Sequence, residues 1–261
     1  MTGLAALCSP VLAWASAWNM PVGVTTISPK VHNLHMTVFW ICVVIGVLVF
    51  GVMLYSLVKH RKAAGHQAVH FHESTTVEII WTIIPFIILI AMAIPATRVL
   101  IQMNHTQDSA LTIKATGYQW KWHYDYVGEG VSYFSNLATP TDQITNKAPK
   151  GEHYLLEVDN HLVVPVGKKI RILTTANDVI HAWWVPALAI KKDAVPGFIN
   201  ESWAIIEKPG IYRGQCAELC GVYHGYMPIV VEAVDDATYA AWLQEKKAAL
   251  APKPTAAPAA K

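Results

Sequence analysis

Four side chains that carry metal-binding atoms lie close together between residues 216 and 227. They are two thiols, one imidazole and one thioether, spaced as C-x3-C-x3-H-x2-M within twelve residues, and they belong to Cys216, Cys220, His224 and Met227. Soft sulfur ligands combined with imidazole select copper over calcium, magnesium or manganese. This stretch therefore predicts a copper site.

The number of sulfur ligands indicates two copper ions rather than one. A mononuclear blue-copper site uses one cysteine, two histidines and a weak axial methionine, and this stretch adds a second cysteine. Cys216 and Cys220 can each bridge two metal ions as thiolates. His181 lies 35 residues before Cys216, at the start of a predicted strand, and it would be a terminal ligand together with His224. The remaining weak ligands would be a thioether and a loop carbonyl, those of Met227 and Glu218.

Two other interpretations of the cysteine pair stay open. A disulfide between Cys216 and Cys220 can form in an oxidising compartment, but it would leave His224 and Met227 without a role. Zinc also accepts cysteine and histidine, although zinc sites rarely include methionine. The softness of the ligands favours copper over both interpretations.

The composition indicates that part of the chain does not lie in water. Hydrophobic residues make up 53% of the 261 residues and charged residues only 15%, against about 25% charged in a soluble domain. The net charge of +2 argues against a nucleic-acid partner. Residues 1–17 are apolar and end in an A-x-A sequence, which predicts a signal peptide, although no basic residue precedes the apolar segment.

Two long apolar runs precede the candidate copper ligands, at residues 36–58 and 77–101. At about 1.5 Å per residue, each run can cross the ~30 Å hydrocarbon layer of a membrane as a helix. The basic cluster at residues 59–62 marks the cytoplasmic side, and it places both ends of the chain outside. We therefore expect a transmembrane hairpin within residues 18–103, with a cytoplasmic loop over residues 59–76.

Short β-branched segments separated by turns fill residues 104–235, and they predict a β-sandwich or barrel. We expect Asp235 or Asp236 to cap a final helix over residues 236–250, whose apolar face is Tyr239, Trp242 and Leu243. The Pro/Ala-rich tail at 251–261 is expected to be disordered. The expected strands are Leu111–Thr116, Trp120–Tyr126, Tyr154–Val158, Lys169–Thr175, Trp203–Ile206 and Ile229–Val234.

With these motifs together, the chain resembles subunit II of the cytochrome c oxidases of the haem–copper family, from about residue 25 to 235. The resemblance implies a membrane-anchored protein with a two-helix hairpin and an all-β, cupredoxin-like domain. It also implies an oxidoreductase, proton-translocating complex in the bacterial inner (plasma) membrane, with both termini and the β-domain on the periplasmic side. The matching strings are Val77–Thr82, Gly117–Trp120, Glu157–Asn160, His181–Trp183, Asp193–Gly197 and Gly214–Met227.

The resemblance further implies the route of the electrons. They would pass from cytochrome c to a dinuclear copper centre, CuA, and on to the haem of subunit I, where dioxygen is reduced to water. Other oxidase subunits and the lipid bilayer are the remaining implied partners. The implied copper ligands are His181, Cys216, Glu218 through its carbonyl, Cys220, His224 and Met227.

Three more residues would have roles outside the copper ligation. The Glu218 side chain would bind magnesium or manganese at the interface with subunit I. Trp120 would receive the electron, although a tryptophan in a strand is more often a packing residue. Glu78 would stand near the entrance of a proton pathway, although it can also simply be solvated at the membrane boundary.

The docking face for cytochrome c is less evident in the sequence. Residues 104–235 include 14 acidic and 11 basic residues, a net charge of −3, which favours a basic donor only weakly. The chain has no C-x-x-C-H haem-attachment motif, so the donor is expected to be a separate protein. The candidate docking carboxylates are Asp125, Glu157, Asp159 and Asp178.

Four other functions remain to be distinguished. A quinol-oxidase subunit II would share the fold but lack the copper ligands, and a nitrous-oxide reductase domain would lack the two-helix anchor. A copper chaperone would hold one exchangeable copper, and a purely structural assembly subunit would hold none.

Overall fold

The structure, a computed structural model, describes residues 19–65, 67 and 72–250. The predicted signal peptide and the predicted disordered tail lie outside these residues. The described residues form two compact units. One comprises residues 30–102, and the other combines the residues before Lys30 with those from Met103 onward.

Two long helices account for most of the unit of residues 30–102: α1 (Ser28–Lys59) and α2 (Thr75–Met103). Their apolar side chains are exposed along most of both helices, as expected for helices surrounded by lipid. Helix α1 begins eight residues before the predicted span and α2 begins two residues before it. The difference arises because hydropathy detects only the part of a helix in hydrocarbon, whereas α1, at about 48 Å, extends beyond that layer.

The two helices form a hairpin. Lys30 Nζ donates a hydrogen bond to Gln102 Oε1 at 2.8 Å, so the start of α1 lies next to the end of α2. Their opposite ends are joined by a segment whose described residues include a 3-10 turn at Lys62–Ala64. Helix α2 includes Pro85 and Pro95, a feature that transmembrane helices tolerate when other groups satisfy the freed carbonyls.

The segment just before α1 packs with the β-domain, which the sequence did not predict. Val24 N donates to Ala187 O at 2.8 Å, and Glu207 N donates to Val24 O at 2.9 Å. Thr25 and Ser28 are buried, and each backbone N–H donates to the other's hydroxyl, the reciprocal pattern of a helix capping box. The sequence instead assigns these residues to the hairpin.

Among the residues that the structure describes, ten strands form two five-stranded sheets that make the predicted sandwich. In the first sheet the order is β3-β2-β1-β5-β8, and in the second it is β4-β10-β9-β6-β7. The pairs β1/β5 and β4/β10 are parallel and the other pairs are antiparallel. A short helix, α3 (Thr141–Ile144), follows β3. The strands are β1 (Leu111–Tyr118), β2 (Lys121–Tyr126), β3 (Val131–Ser135), β4 (Leu162–Pro165), β5 (Lys169–Ala176), β6 (His181–Val185), β7 (Ile190–Ala194), β8 (Asn200–Ile205), β9 (Gly210–Cys216) and β10 (Pro228–Val234).

Alternating side chains from both sheets fill the core between them. On β2, Trp122, Tyr124 and Tyr126 are fully buried, whereas the residues between them are partly exposed. This period of two follows from the pleat of a strand that has one face in the core. Trp183 on β6 meets β2 across the sandwich, because its indole Nε1 donates to the Tyr124 hydroxyl at 3.4 Å.

The predicted strand at Tyr154–Val158 is wrong. Turns occupy residues 152–155, and Val158 alone makes an isolated bridge, to Leu137. Leu155 has a φ of 61°, which lies in the left-handed region and is incompatible with an extended strand. The apolar residues of this segment therefore suggested a strand that the backbone does not form.

The last described element is α4 (Asp236–Leu250), with the bounds that the sequence predicts. Asp235 is its cap, because Asp235 Oδ1 accepts a hydrogen bond from Thr238 N at 2.9 Å. Tyr239, Trp242 and Leu243 pack against the sandwich core as expected. The Trp242 ring lies 5.2 Å from the Tyr126 ring, so aromatic contacts attach this helix to the β-domain.

Candidate metal centre

The candidate ligands meet at one end of the second sheet. Cys216 is the last residue of β9 and His181 is the first of β6. These strands are antiparallel neighbours, with Trp183 opposite Cys216. Cys220 and His224 follow in the loop between β9 and β10. The strand pairing therefore brings together residues that are 35 positions apart in the sequence.

The four nitrogen and sulfur atoms form a short chain. The sulfur atoms of Cys216 and Cys220 are 3.8 Å apart. His181 Nδ1 lies 3.9 Å from the Cys216 sulfur, and His224 Nδ1 lies 3.5 Å from the Cys220 sulfur. Each thiol thus has one imidazole beside it, in an arrangement with two similar halves.

This arrangement can hold a metal ion. Copper is similar in size to zinc, which thiolate sulfur binds at about 2.3 Å. One such ion can therefore contact two sulfur atoms that are up to about 4.6 Å apart. The two sulfur atoms, 3.8 Å apart, meet this limit. Both cysteines are free thiols, because a disulfide would need a sulfur–sulfur distance of about 2.05 Å. His181, Cys216 and Cys220 are buried and their ligand atoms all lie within 4.8 Å of one another.

The two weaker ligand candidates contact Cys216 in different ways. The carbonyl oxygen of Glu218 lies 3.4 Å from the Cys216 sulfur, whereas the Glu218 residue as a whole is exposed. Met227 is buried, and its carbonyl accepts a hydrogen bond from Cys216 N at 2.9 Å. This bond holds the end of β9 against the start of β10, so Met227 stays beside the cysteine pair.

The two thiols differ in acidity. Burial opposes ionisation of Cys216, but hydrogen bonds with His181 and with backbone groups outweigh it and lower the pKa of Cys216 to about 7. Burial and the neighbouring Cys216 thiolate raise the pKa of Cys220 to about 12. Two thiolates at this distance repel each other, so a bound cation is needed to hold both in the ionised form.

His181 is oriented by a carboxylate that the sequence assigns to another role. Asp178 Oδ1 lies 2.9 Å from His181 Nε2, and Asp178 Oδ2 accepts a hydrogen bond from Gln119 N at 2.7 Å. Burial acts to raise the pKa of Asp178, but these hydrogen bonds outweigh it and lower that pKa. A carboxylate on the far nitrogen of a metal-binding imidazole fixes the ring and its tautomer.

Two glycines make room for the site. A Cβ on Gly117, in β1, would lie 2.6 Å from His181 Cδ2, so only glycine lets the imidazole pack against the first sheet. A Cβ on Gly214, in β9, would lie 2.0 Å from the Trp184 carbonyl oxygen. Both glycines occur in strings that carry the family resemblance, but their spatial role depends on packing between strands.

Trp120 lies in the turn between β1 and β2 rather than in a strand, which corrects the prediction of a strand from Trp120 to Tyr126. Its indole Nε1 donates to the Cys220 carbonyl oxygen at 3.2 Å. Its ring packs edge-on against that of the exposed Tyr223, with centroids 4.9 Å apart. The partly buried Trp120 therefore connects the protein surface to the cysteine loop.

All four candidate docking carboxylates have partners within the β-domain. Asp125 pairs with Lys114 at 3.4 Å, and Glu157 pairs with Arg213. Asp159 accepts from the backbone N–H of Asn136 at 2.7 Å, and Asp178 holds His181. These contacts within the β-domain offset part of the negative charge of the four carboxylates. Their attraction for a basic partner is therefore weaker than the sequence suggests.

Glu78 belongs to the other unit. It lies in the first turn of α2, and its carbonyl accepts a hydrogen bond from the Thr82 hydroxyl at 2.8 Å. The residue is exposed. A carboxylate in this position also interacts favourably with the positive end of the helix dipole.

The comparison with known proteins agrees with the site and the fold. Residues 111–234 match the family model of the periplasmic domain of cytochrome c oxidase subunit II, and residues 13–99 match that of its transmembrane domain. Cytochrome c oxidase subunit 2 of Cyanidium caldarium is 39% identical over 238 residues, which cover 89% of this chain and 91% of that protein. The probable cytochrome c oxidase subunit 2 of Rickettsia bellii is 36% identical over 91% of this chain and 86% of that protein.

A solved structure supports the same assignment. The periplasmic domain of subunit II of cytochrome oxidase from Bradyrhizobium japonicum is 43% identical, with a TM-score of 0.50, over 56% of this chain and 99% of that one. The predicted resemblance and fold class are therefore confirmed. This chain belongs to the cytochrome c oxidase subunit II family, and it is a subunit of a haem–copper respiratory oxidase with two transmembrane helices and a periplasmic β-domain.

Proposed function

We propose that this chain is the electron-accepting subunit of its oxidase. It takes electrons from cytochrome c at a CuA centre in the β-domain and passes them to the haem of subunit I. The observation that carries the proposal is the pair of thiols 3.8 Å apart, each with an imidazole nitrogen beside it. A mononuclear site would need only one of these thiols.

The residues of this chain hold the metal pair rather than react. Cys216 and Cys220, together with His181 and His224, would hold the two ions. When bound, a copper pair that shares two thiolates supplies a one-electron store with its charge spread over both ions. The protein keeps the ligands rigid, because Asp178 fixes His181 and the pairing of Cys216 with Met227 fixes the end of β9. The weak ligands are the Met227 thioether and the Glu218 carbonyl.

Trp120 is the residue that we assign to receiving the electron. Its indole is linked to the Cys220 residue by one hydrogen bond, from Nε1 to the carbonyl oxygen, at 3.2 Å. The exposed Tyr223 packs against its ring. A donor that docks over Trp120 and Tyr223 would therefore be connected to a copper ligand through a single hydrogen bond and covalent bonds.

The remaining family roles are proposed on more general grounds. The Glu218 side chain is exposed while its carbonyl faces Cys216, so the residue can also bind magnesium or manganese at the interface with subunit I. Glu78 starts α2 at the loop end of the hairpin, which suits the entrance of a proton pathway. We place the chain in a bacterial inner membrane, and the basic cluster at residues 59–62 supports an orientation with both termini on the periplasmic side.

Metal analysis and electron spin resonance of the full chain in detergent test the proposal. We expect two coppers per chain, with one unpaired electron shared by both nuclei in the oxidised state. One labile copper would indicate a chaperone, and bound zinc would contradict a redox role. A chain with a Cys216–Cys220 disulfide and no metal would indicate a structural subunit. Each of these three results would overturn the proposal.

Replacing Asp178 by asparagine is expected to weaken copper binding by roughly 10–100-fold, the usual cost of losing a partner of a metal-binding histidine. The neutral amide cannot stabilise the His181 ring as the carboxylate does. Competition with a copper chelator measures the change. Asp125→Asn is the matched control, because Asp125 is a partly exposed carboxylate paired only with Lys114 in the ion pairs of the described chain. Equal losses in both variants would contradict the orienting role of Asp178.

A further inference from the structure

The turn between β1 and β2 contacts both segments that carry the candidate ligands. The backbone N–H of Gln119 donates to Asp178 Oδ2 at 2.7 Å, and Asp178 in turn contacts His181. The side-chain Nε2 of Gln119 donates to the carbonyl oxygen of Cys220 at 2.9 Å. One residue of the turn between β1 and β2 therefore connects the segment before His181 with the cysteine loop, which follow strands of different sheets.

The cysteine loop depends on such contacts because it lies between two strands. Residues 217–223 form no helix or strand, and after the end of β9 at Cys216 the hydrogen bond from Ala217 N to Ala182 O still joins this segment to β6. The Cys220 carbonyl accepts two hydrogen bonds, from Gln119 Nε2 and from Trp120 Nε1, which satisfies both of its lone pairs. A Cβ on the following residue, Gly221, would lie 3.2 Å from Gln119 Nε2, so the turn and the loop are in close contact.

We propose that Gln119 is a positioning residue for the metal centre, which sets the Cys220 thiol relative to His181. This inference rests on the proposed function. The contacts of Gln119 involve a carbonyl and a carboxylate but no sulfur or ring nitrogen, so they do not compete with a metal for its ligands. They can hold the two halves of the site at a fixed spacing both before and after copper binds.

The position of Gln119 argues against a role in general stability. The residue is exposed, and substitutions at exposed positions usually change the free energy of unfolding very little. Its two contacts can also be separated by mutation. A side-chain substitution removes the hydrogen bond to Cys220 and leaves the backbone N–H on Asp178.

The variant Gln119→Met tests the proposal, because methionine keeps the length of the side chain and loses the amide donor. Gln244→Met is the matched control, since Gln244 is an exposed glutamine in α4. Gln119→Lys again has a side-chain hydrogen-bond donor, and it is expected to recover part of the wild-type behaviour. All three are made in the full chain in detergent.

The first measurement uses the copper-free chain. Amide hydrogen exchange is followed at Ala217 and His224, whose N–H groups donate to Ala182 O and Gly221 O. We expect exchange to be about 2–10-fold faster in Gln119→Met, which corresponds to one hydrogen bond, and unchanged in Gln244→Met. Equal exchange in wild type and Gln119→Met would overturn the proposal.

The second measurement uses the copper-loaded chain. We expect Gln119→Met to release copper to a chelator roughly 10–100-fold faster and its spin-resonance spectrum to show unequal coupling to the two copper nuclei. Faster exchange with unchanged copper release and spectrum would overturn the positioning role. If wild type binds no copper pair, the proposed function fails, whereas the exchange result still decides separately whether Gln119 holds the loop.

Discussion

We expect Cys216→Ser and Cys220→Ser each to abolish the proposed copper pair. A serine hydroxyl is a hard ligand and keeps its proton near neutral pH, so it cannot take the place of a soft, anionic sulfur that bridges two ions. Each of the two cysteines has one imidazole beside it, so we expect the same result at both positions. Copper content and electron spin resonance of the full chain measure the loss.

Cys42→Ser is the control for these variants. Cys42 is an exposed free thiol in α1, and its loss should leave both coppers in place. Circular dichroism and thermal unfolding show whether the serine variants still fold. A Cys216→Ser chain that retains two coppers with a shared electron would refute the bridging role.

We expect Trp120→Phe to slow electron uptake from reduced cytochrome c by roughly 10–100-fold. Phenylalanine retains a ring at the surface but has no Nε1 donor, so the hydrogen bond to the Cys220 carbonyl is lost. Gln119 still donates to that carbonyl, and the copper content should therefore be unchanged. Stopped-flow mixing of the assembled oxidase with reduced cytochrome c measures the rate.

Trp203→Phe is the matched variant for this measurement. Trp203 is another partly exposed tryptophan, on β8, where Lys169 Nζ lies 4.8 Å from its ring centroid. A slower rate of electron uptake at saturating cytochrome c separates an electron-transfer role from a docking role, which would mainly raise KM. Trp120 would lose its assigned role if both tryptophan variants transferred electrons at the wild-type rate.

The two transmembrane helices were predictable because their signal is local. A continuous apolar run of more than about 20 residues has few alternatives to a membrane span, and both runs are helical in the structure. The short strands were less certain. The segment at Tyr154–Val158 has the composition of a strand, yet its backbone forms turns, because local composition does not decide whether a neighbouring strand is available for pairing.

The sequence by itself determined the candidate ligands of the site. The types and spacing of Cys216, Cys220, His224 and Met227 favour a soft metal ion and indicate a pair, and these four residues follow one another in a single short segment. The helical anchor and the all-β class of the outer domain were determined in the same way, by patterns that repeat along a few residues of chain.

Only the tertiary structure decided what holds the ligands in place. Asp178 contacts His181, Gly117 leaves room for its ring, and Gln119 reaches Cys220, a residue 101 positions later in the chain. Such contacts depend on how the two sheets pack and on which strands are neighbours. The spacing of residues in the sequence does not reveal the sheet packing or the strand neighbours, because folding brings together side chains that are far apart in the chain.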